Sequence, residues 1–331
     1  MRELTAAGIA SPRLRRSYLE CRRLNASHGR TYFLATALLP AWKRPYVHAL
    51  YGFARYADEI VDDLDSALCD AQRSARLRGW GEEFLAHAGT GSGPGSGPQS
   101  WRSGAGESPG NISVLPALLD TIRRWDIPLE HFEAFLDSMR MDLTVTSYAS
   151  FDDLMVYVHG SAAVIGLQMV PILEPTCSAA LPYARDLGTA FQLANFIRDV
   201  GEDLRRGRVY LPQESLDLFG VTRGHLAAGV VDGPVRRLLA FEIARARELF
   251  RAARPGIRLL HPTSRDCVDT AFRLYSAILD EVERADYQVL DRRVAVGVGR
   301  RIAVAGPGLL RAVRARRRVQ CPTCVQGTTA R

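Results

Sequence analysis

Two segments of this chain set oxygen-bearing side chains four residues apart inside otherwise apolar, helix-patterned sequence. One holds Asp58 and Asp62 in the run Asp58-Glu59-Ile60-Val61-Asp62-Asp63; the other holds Asn195, Asp199 and Asp203 in the run from Asn195 to Asp203. At 3.6 residues per turn, residues four apart stack on one helix face. Like charges so stacked repel one another, and more strongly where water is scarce. The neighbours Ile60, Val61 and Leu64, and Phe191, Leu193, Phe196, Ile197 and Val200, make both helices largely buried. Buried carboxylates without partners are costly, so a positive group is expected against each column. The first column also lies at the C-terminal end of its helix, where the helix dipole disfavours carboxylates; this again calls for a counter-cation. The donors are all oxygens, with Gln192 beside Asn195, and they suit a hard ion. Magnesium takes a few carboxylates and shares phosphate oxygens, so the pattern points to magnesium ions holding a diphosphate.

The rest of the chain reads as helix. Apolar positions at helical spacing predict helices over 13–26, 31–39, 40–64, 67–87, 114–125, 129–143, 151–173, 179–204, 234–254 and 264–290, with a break at His28-Gly29 and no strand series. Hydrophobic residues at 47% and charged residues at 24% are ordinary for a globular protein, and the expectation is one all-α domain over 1–290. Within it, 89–113 is a low-complexity Gly/Ser/Pro loop. The segment 291–331 is a basic tail, with no acid from Arg292 onward.

The net charge of +7 raises the question of nucleic acid. The tail has no interleaved aromatics, so the expectation is no nucleic acid but peripheral contact with anionic membrane. The N-terminus lacks the apolar core of a secretory signal, and the run from Ser161 to Leu173, interrupted by Gln168, is too short to cross a bilayer. A cytoplasmic protein touching the inner membrane face is expected. The six cysteines are scattered and read as free thiols; Cys321-Pro-Thr-Cys324 is a lone pair in a polar end.

Cations flank the columns: Arg55 before Asp58, Arg198 beside Asp199, then Arg205, Arg206 and Arg208, with His28 and Arg30 at the early break. The plain reading is local salt bridging; the functional one is a set of guanidinium forks for diphosphate oxygens. Tyr32, Tyr51, Tyr157, Tyr210 and Tyr275 fall in core-facing segments, where packing with one hydrogen bond is the ordinary role.

Taken in order, Ser17-Tyr18-x-x-Cys21, His28-Gly-Arg-Thr-Tyr-Phe33, Leu39-Pro40, the run from Ala49 to Asp63 and the run from Gln192 to Pro212 resemble the squalene and phytoene synthase family. The likeness spans about Ser17 to Leu290 apart from the low-complexity loop. The segment from Tyr157 to Gln168 is most similar to the bacterial phytoene synthase branch. It departs from the tyrosine-cysteine-tyrosine wording of other branches, so only Tyr157 carries over there.

The resemblance implies an isoprenoid-synthase helical bundle around a central cavity, with the two aspartate motifs facing one another. It implies head-to-head condensation of two geranylgeranyl diphosphates, through a cyclopropylcarbinyl diphosphate, to phytoene. Magnesium, or manganese in its place, would be held by Asp58, Asp62, Asn195, Asp199 and Asp203, and no nicotinamide cofactor is expected. Arg55 and Arg198 would hold the prenyl diphosphate substrate, with His28, Arg30, Tyr32 and Gln192 also in the binding set. Tyr51, Tyr157, Tyr210 and Tyr275 would shape or protect cationic intermediates. The alternatives are a squalene or dehydrosqualene synthase acting on farnesyl diphosphate, and a non-catalytic relative acting as an assembly factor. Small residues Ala162, Ala163 and Gly166 would make room for the longer chain.

Overall fold

The structure, a computed structural model, describes residues 2–62, 69–89 and 113–319, except for the side chains of 316–319. Asp63 and Leu64, nearly all of the low-complexity loop, and Cys321 and Cys324 lie outside the described residues.

Among the described residues the regular structure is helical, and one isolated bridge pairs Pro175 with Leu260. The helices are α1 (Arg2–Ala6), α2 (Pro12–His28), α3 (Arg30–Thr36), α4 (Arg44–Asp62), α5 (Asp70–Gly89), α6 (Leu115–Trp125), α7 (Glu130–Met141), α8 (Phe151–Val158), α9 (Val164–Leu173), α10 (Ala180–Arg205), α11 (Gln213–Leu218), α12 (Arg223–Ala227), α13 (Gly233–Ala253), α14 (Pro262–Arg284) and α15 (Val298–Val319). A π-helical turn, His159–Ala163, joins α8 to α9, and a 3-10 turn, Arg254–Leu259, follows α13.

Backbone contacts divide the chain into two compact units. The first comprises Met1–Arg30, Ala41–Thr146 and Asp152–Ile172. Its core forms where the apolar side of α4 meets α5 and α7. Phe53, fully buried, has the rings of Trp80, Phe84, Phe132 and Phe135 within 5.0–5.4 Å. Burying several aromatic side chains of this size against one another is the main stabilising term here, on the order of 2 kcal/mol for each ring removed from water. The π turn packs on α7 so closely that a Cβ on Gly160 would lie 2.2 Å from the Ala134 carbonyl oxygen and 2.1 Å from Ser138 Oγ. Only glycine fits that contact.

The second unit comprises Thr31–Pro40, Ser147–Phe151 and Leu173–Arg331. There α10 packs on α13, α14 and the 3-10 turn. Tyr32, from the short early segment, joins an aromatic cluster with Phe191 and Tyr275, whose rings stack at 4.2 Å. Asp232 caps α13, its carboxylate accepting the Val235 N–H at 3.1 Å.

Three differences from the sequence expectation matter. The last core helix stops at Arg284 rather than reaching Leu290, because Asp286 and Tyr287 both take left-handed backbone (φ 53° and 60°). The basic segment after Leu290 contains a long helix, α15, packed on α14. Finally, the apolar stretch near Ser161 is part of a continuous helical run, Phe151–Leu173, long and apolar enough to cross a bilayer by length and composition; 56% of its most apolar 18 residues is buried inside the protein, as in a core helix.

Candidate active site

In the first unit the end of α4 carries Arg55, Asp58, Glu59 and Asp62 over a buried face of Ala57, Ile60 and Val61. Loss of water around Asp58 raises its carboxyl, the Asp62 charge adds to this, Arg55 opposes it, and Asp142 and Glu59 raise it further. The outcome is a carboxyl pushed up to about 7. Arg55 donates to Glu59 at 3.1 Å, one turn along the same helix. Tyr157, 2% exposed, donates its hydroxyl proton to Asp142 Oδ2 at 2.7 Å, and its carbonyl accepts from Ser138 Oγ at 3.0 Å. Ala162 and Ala163 are buried on the neighbouring π turn, a geometry that tends to mark functional sites. Tyr51 is half-buried on α4, whereas His28 and Arg30 stand exposed at the α2–α3 junction; neither makes an ion pair among the described residues.

In the second unit Gln192, Asn195, Asp199 and Asp203 follow one another along α10, all half-buried. Asp199 is gripped by two arginines. Arg198 donates from Nε to Oδ1 at 2.8 Å and from Nη2 to Oδ2, and Arg293 approaches Oδ1 with Nε at 2.9 Å. Burial raises the Asp203 carboxyl, Asp199 and Glu202 raise it more, and Arg206 and Arg208 pull it back, leaving it at about 7. Tyr210 stacks on Phe196 at 4.1 Å. Tyr275 is hydrogen-bonded to Tyr32, whose own hydroxyl is pushed up to about 12 by burial despite that bond. At Gly201, α10 lies against the backbone of Leu290 and donates its N–H to the Val289 carbonyl at 3.2 Å. That contact fixes the segment that carries Arg293.

Among the described residues no three His, Cys, Asp or Glu side chains converge as a ready-made metal cage. The donor chemistry nonetheless fits an oxygen-seeking divalent cation. Burial is the leading cause of the raised Asp58 and Asp203 carboxyls, and neighbouring acids add to it: Asp62, Asp142 and Glu59 at the first, Asp199 and Glu202 at the second. A bound dication would relieve both.

Sequence reasoning missed three members of these clusters. Asp142 follows α7 with no motif around it. Arg73, on α5, reaches the Val61 carbonyl at 3.3 Å and so supplies a cation at the C-terminal end of α4. Arg293 lies in the segment read only as a basic tail. The fold alone brings each of them in; the one sequence signal was the expectation of cations near the columns.

The sequence profile of the squalene/phytoene synthase family matches residues 25–300. The chain belongs to this family. Among its relatives, a phytoene synthase of Arthrospira platensis is 36% identical over 295 residues, 85% of this chain and 88% of that one. A 15-cis-phytoene synthase of Synechococcus elongatus is 35% identical over 312 residues, 90% of this chain and 94% of the other. Among solved structures, a squalene synthase of Alicyclobacillus acidocaldarius aligns with a TM-score of 0.70 at 27% identity, covering 85% of this chain and 98% of that one. A dehydrosqualene synthase aligns with a TM-score of 0.76 at 23% identity, covering 89% and 96%, a likeness of fold. The fold is therefore all-α, of the isoprenoid-synthase kind.

Proposed function

We propose that this family member is a prenyltransferase that joins two geranylgeranyl diphosphates head to head to make phytoene, a step of carotenoid synthesis. The observation that carries the reading is the 36% and 35% identity to phytoene synthases over most of both chains. It is supported by two complete carboxylate columns, in each of which burial holds one carboxyl above its ordinary range. Asp58 and Asp62 in one unit and Asn195, Asp199 and Asp203 in the other are the assigned ligands for magnesium, with manganese as a substitute. Bound there, the metal supplies Lewis-acid help to a departing diphosphate.

The chain's own groups then have the following roles. Arg198, bonded to Asp199, would be released to donate to diphosphate oxygens if Asp199 held a dication, and Arg55, bonded to Glu59, would offer its guanidinium to diphosphate beside Asp58. Gln192, His28 and Arg30 are assigned as further polar contacts to the substrate. Tyr51, Tyr157, Tyr210, Tyr32 and Tyr275 offer ring faces to positive carbon centres. The packing of Tyr210 on Phe196 and of Tyr275 on Phe191 holds the rings still, so they need little reorganisation during the reaction. Apolar surroundings keep water from quenching a carbocation.

The test offers geranylgeranyl and farnesyl diphosphate separately, with magnesium, to the purified protein and identifies products by mass and absorbance. Phytoene from the C20 substrate is expected. A C30 product from farnesyl diphosphate alone would give way to the squalene or dehydrosqualene reading, and no product from either would remove the enzymatic one.

A further inference from the structure

Helix α15 has two faces with different roles. One is fastened to α14. Arg300 donates to Asp280 at 2.6 Å and to Glu281 at 2.9 Å; Arg311 donates to Asp266 at 2.7 Å and to Asp269 at 3.3 Å. Ala305 and Ala312 are buried on this side. These two arginines hold the helix in place and are occupied by protein carboxylates.

The other face is apolar and open. Val298 is 69% exposed, Ile302 67%, Leu309 49%, Leu310 64% and Val313 37%. Half of the large apolar side chains exposed among the described residues lie on this one helix. At about 100° per residue, Val298, Ile302, Leu309 and Val313 fall within about 60° of one another, with Leu310 beside them. Such a row on a soluble surface marks something that covers it.

Charge identifies the covering partner. From Arg292 to the last residue the sequence has ten arginines and no acid. Arg314 stands exposed on α15, and Arg316, Arg317 and Arg318 follow within the next turn. An arginine-rich helix with an apolar row suits an anionic lipid surface: the row enters the acyl boundary and the guanidinium groups meet headgroup phosphates. A second copy of the same face would set arginines against arginines. Nucleic acid would leave the apolar row uncovered, and α15 carries no aromatic ring for bases to stack on.

We propose that the outer face of α15 is an interfacial docking surface for anionic bilayers, anchored by Val298, Ile302, Leu309, Leu310 and Val313 and held to the protein by the α14 ion pairs. The inference is independent of the proposed reaction.

Co-sedimentation tests it, using the full-length protein with vesicles of phosphatidylglycerol and phosphatidylcholine in equal parts, or of phosphatidylcholine alone. Binding to the mixed vesicles only is expected. Ile302→Ser combined with Leu309→Ser should weaken it by about tenfold or more, since each loses buried apolar area, with helicity unchanged. Ile302→Trp should add an emission component that shifts to the blue with the mixed vesicles. Equal sedimentation of parent and double variant, or no shift from Ile302→Trp, overturns the proposal. So does a lipid-free dimer that the double variant converts to monomer, or retention of duplex DNA lost in that variant.

Discussion

Gly201→Ala should destabilise the protein even though alanine is the better helix former. Gly201 lies inside α10, where alanine in place of glycine is worth about 1 kcal/mol. Against this, the new Cβ would sit 2.0 Å from the Leu290 carbonyl oxygen, 2.5 Å from its carbon and 2.8 Å from its Cα. All three are backbone atoms and cannot rotate away. Moving from 2.0 Å to the 3.4 Å at which ordinary contact begins requires a retreat of about 1.4 Å. Overpacking of that kind costs about 1–3 kcal/mol, and here it also strains the Gly201 N–H bond to Val289. The same retreat carries Arg293 away from Asp199, a contact now at 2.9 Å. We therefore expect a net loss of about 1–2 kcal/mol, a fall in Tm of roughly 1.5–3 °C. Turnover should drop as well, because the segment bordering the second column shifts. Gly79→Ala is the control: that glycine lies within α5, and a Cβ added there would meet nothing within 4 Å, so the same substitution should stabilise by about 1 kcal/mol. Thermal unfolding of the two variants side by side is the assay. If Gly201→Ala raises Tm as Gly79→Ala does, the argument from close approach is wrong.

Two further expectations concern the first unit. His48 is 2% exposed and its Nδ1 accepts from Asn25 Nδ2 across 3.0 Å; burial, the leading cause, pushes its imidazole down from 6.5 to about 4. The unfolded chain therefore takes up a proton that the folded one refuses, so this contribution is whole above about pH 6.5 and drains by about 3 kcal/mol as pH falls to 4. Denaturant melts of His48→Gln should lose that part of the acid slope; an unchanged slope refutes the assignment. Tyr157→Phe and Asp142→Ala should each cost about 1–3 kcal/mol, with a coupling of at least about 1 kcal/mol in a double-mutant cycle, because they share the 2.7 Å hydrogen bond. Additive losses would mean that the bond is not formed in solution.

Much of the fold was legible because α4, α7, α10 and α13 carry long, regular apolar spacing that local sequence reports directly. The end of α14 was not. Val289 and Leu290 are buried and continue the helical spacing, while the left-handed turn at Asp286 and Tyr287 uses residues that do not advertise it. Helix α15 was hidden by its arginines and by Gly306, Pro307 and Gly308; its acidic partners, Asp266, Asp269, Asp280 and Glu281, lie in another helix. At the candidate site the columns were visible as spacing. Asp142, Arg73 and Arg293 were not, since each joins its cluster through tertiary packing. Asp199 was expected to face a metal, and its two arginine partners in the structure show what occupies it otherwise.

The central claim is that the two columns work by holding divalent cations, and one measurement addresses it most directly: turnover of geranylgeranyl diphosphate against magnesium concentration for the parent, Asp58→Asn and Asp199→Asn. Each substitution should lower the rate by about a hundredfold or more and raise the magnesium needed, with the helical circular dichroism unchanged. A variant that keeps the parent's rate and the parent's magnesium requirement would contradict the account.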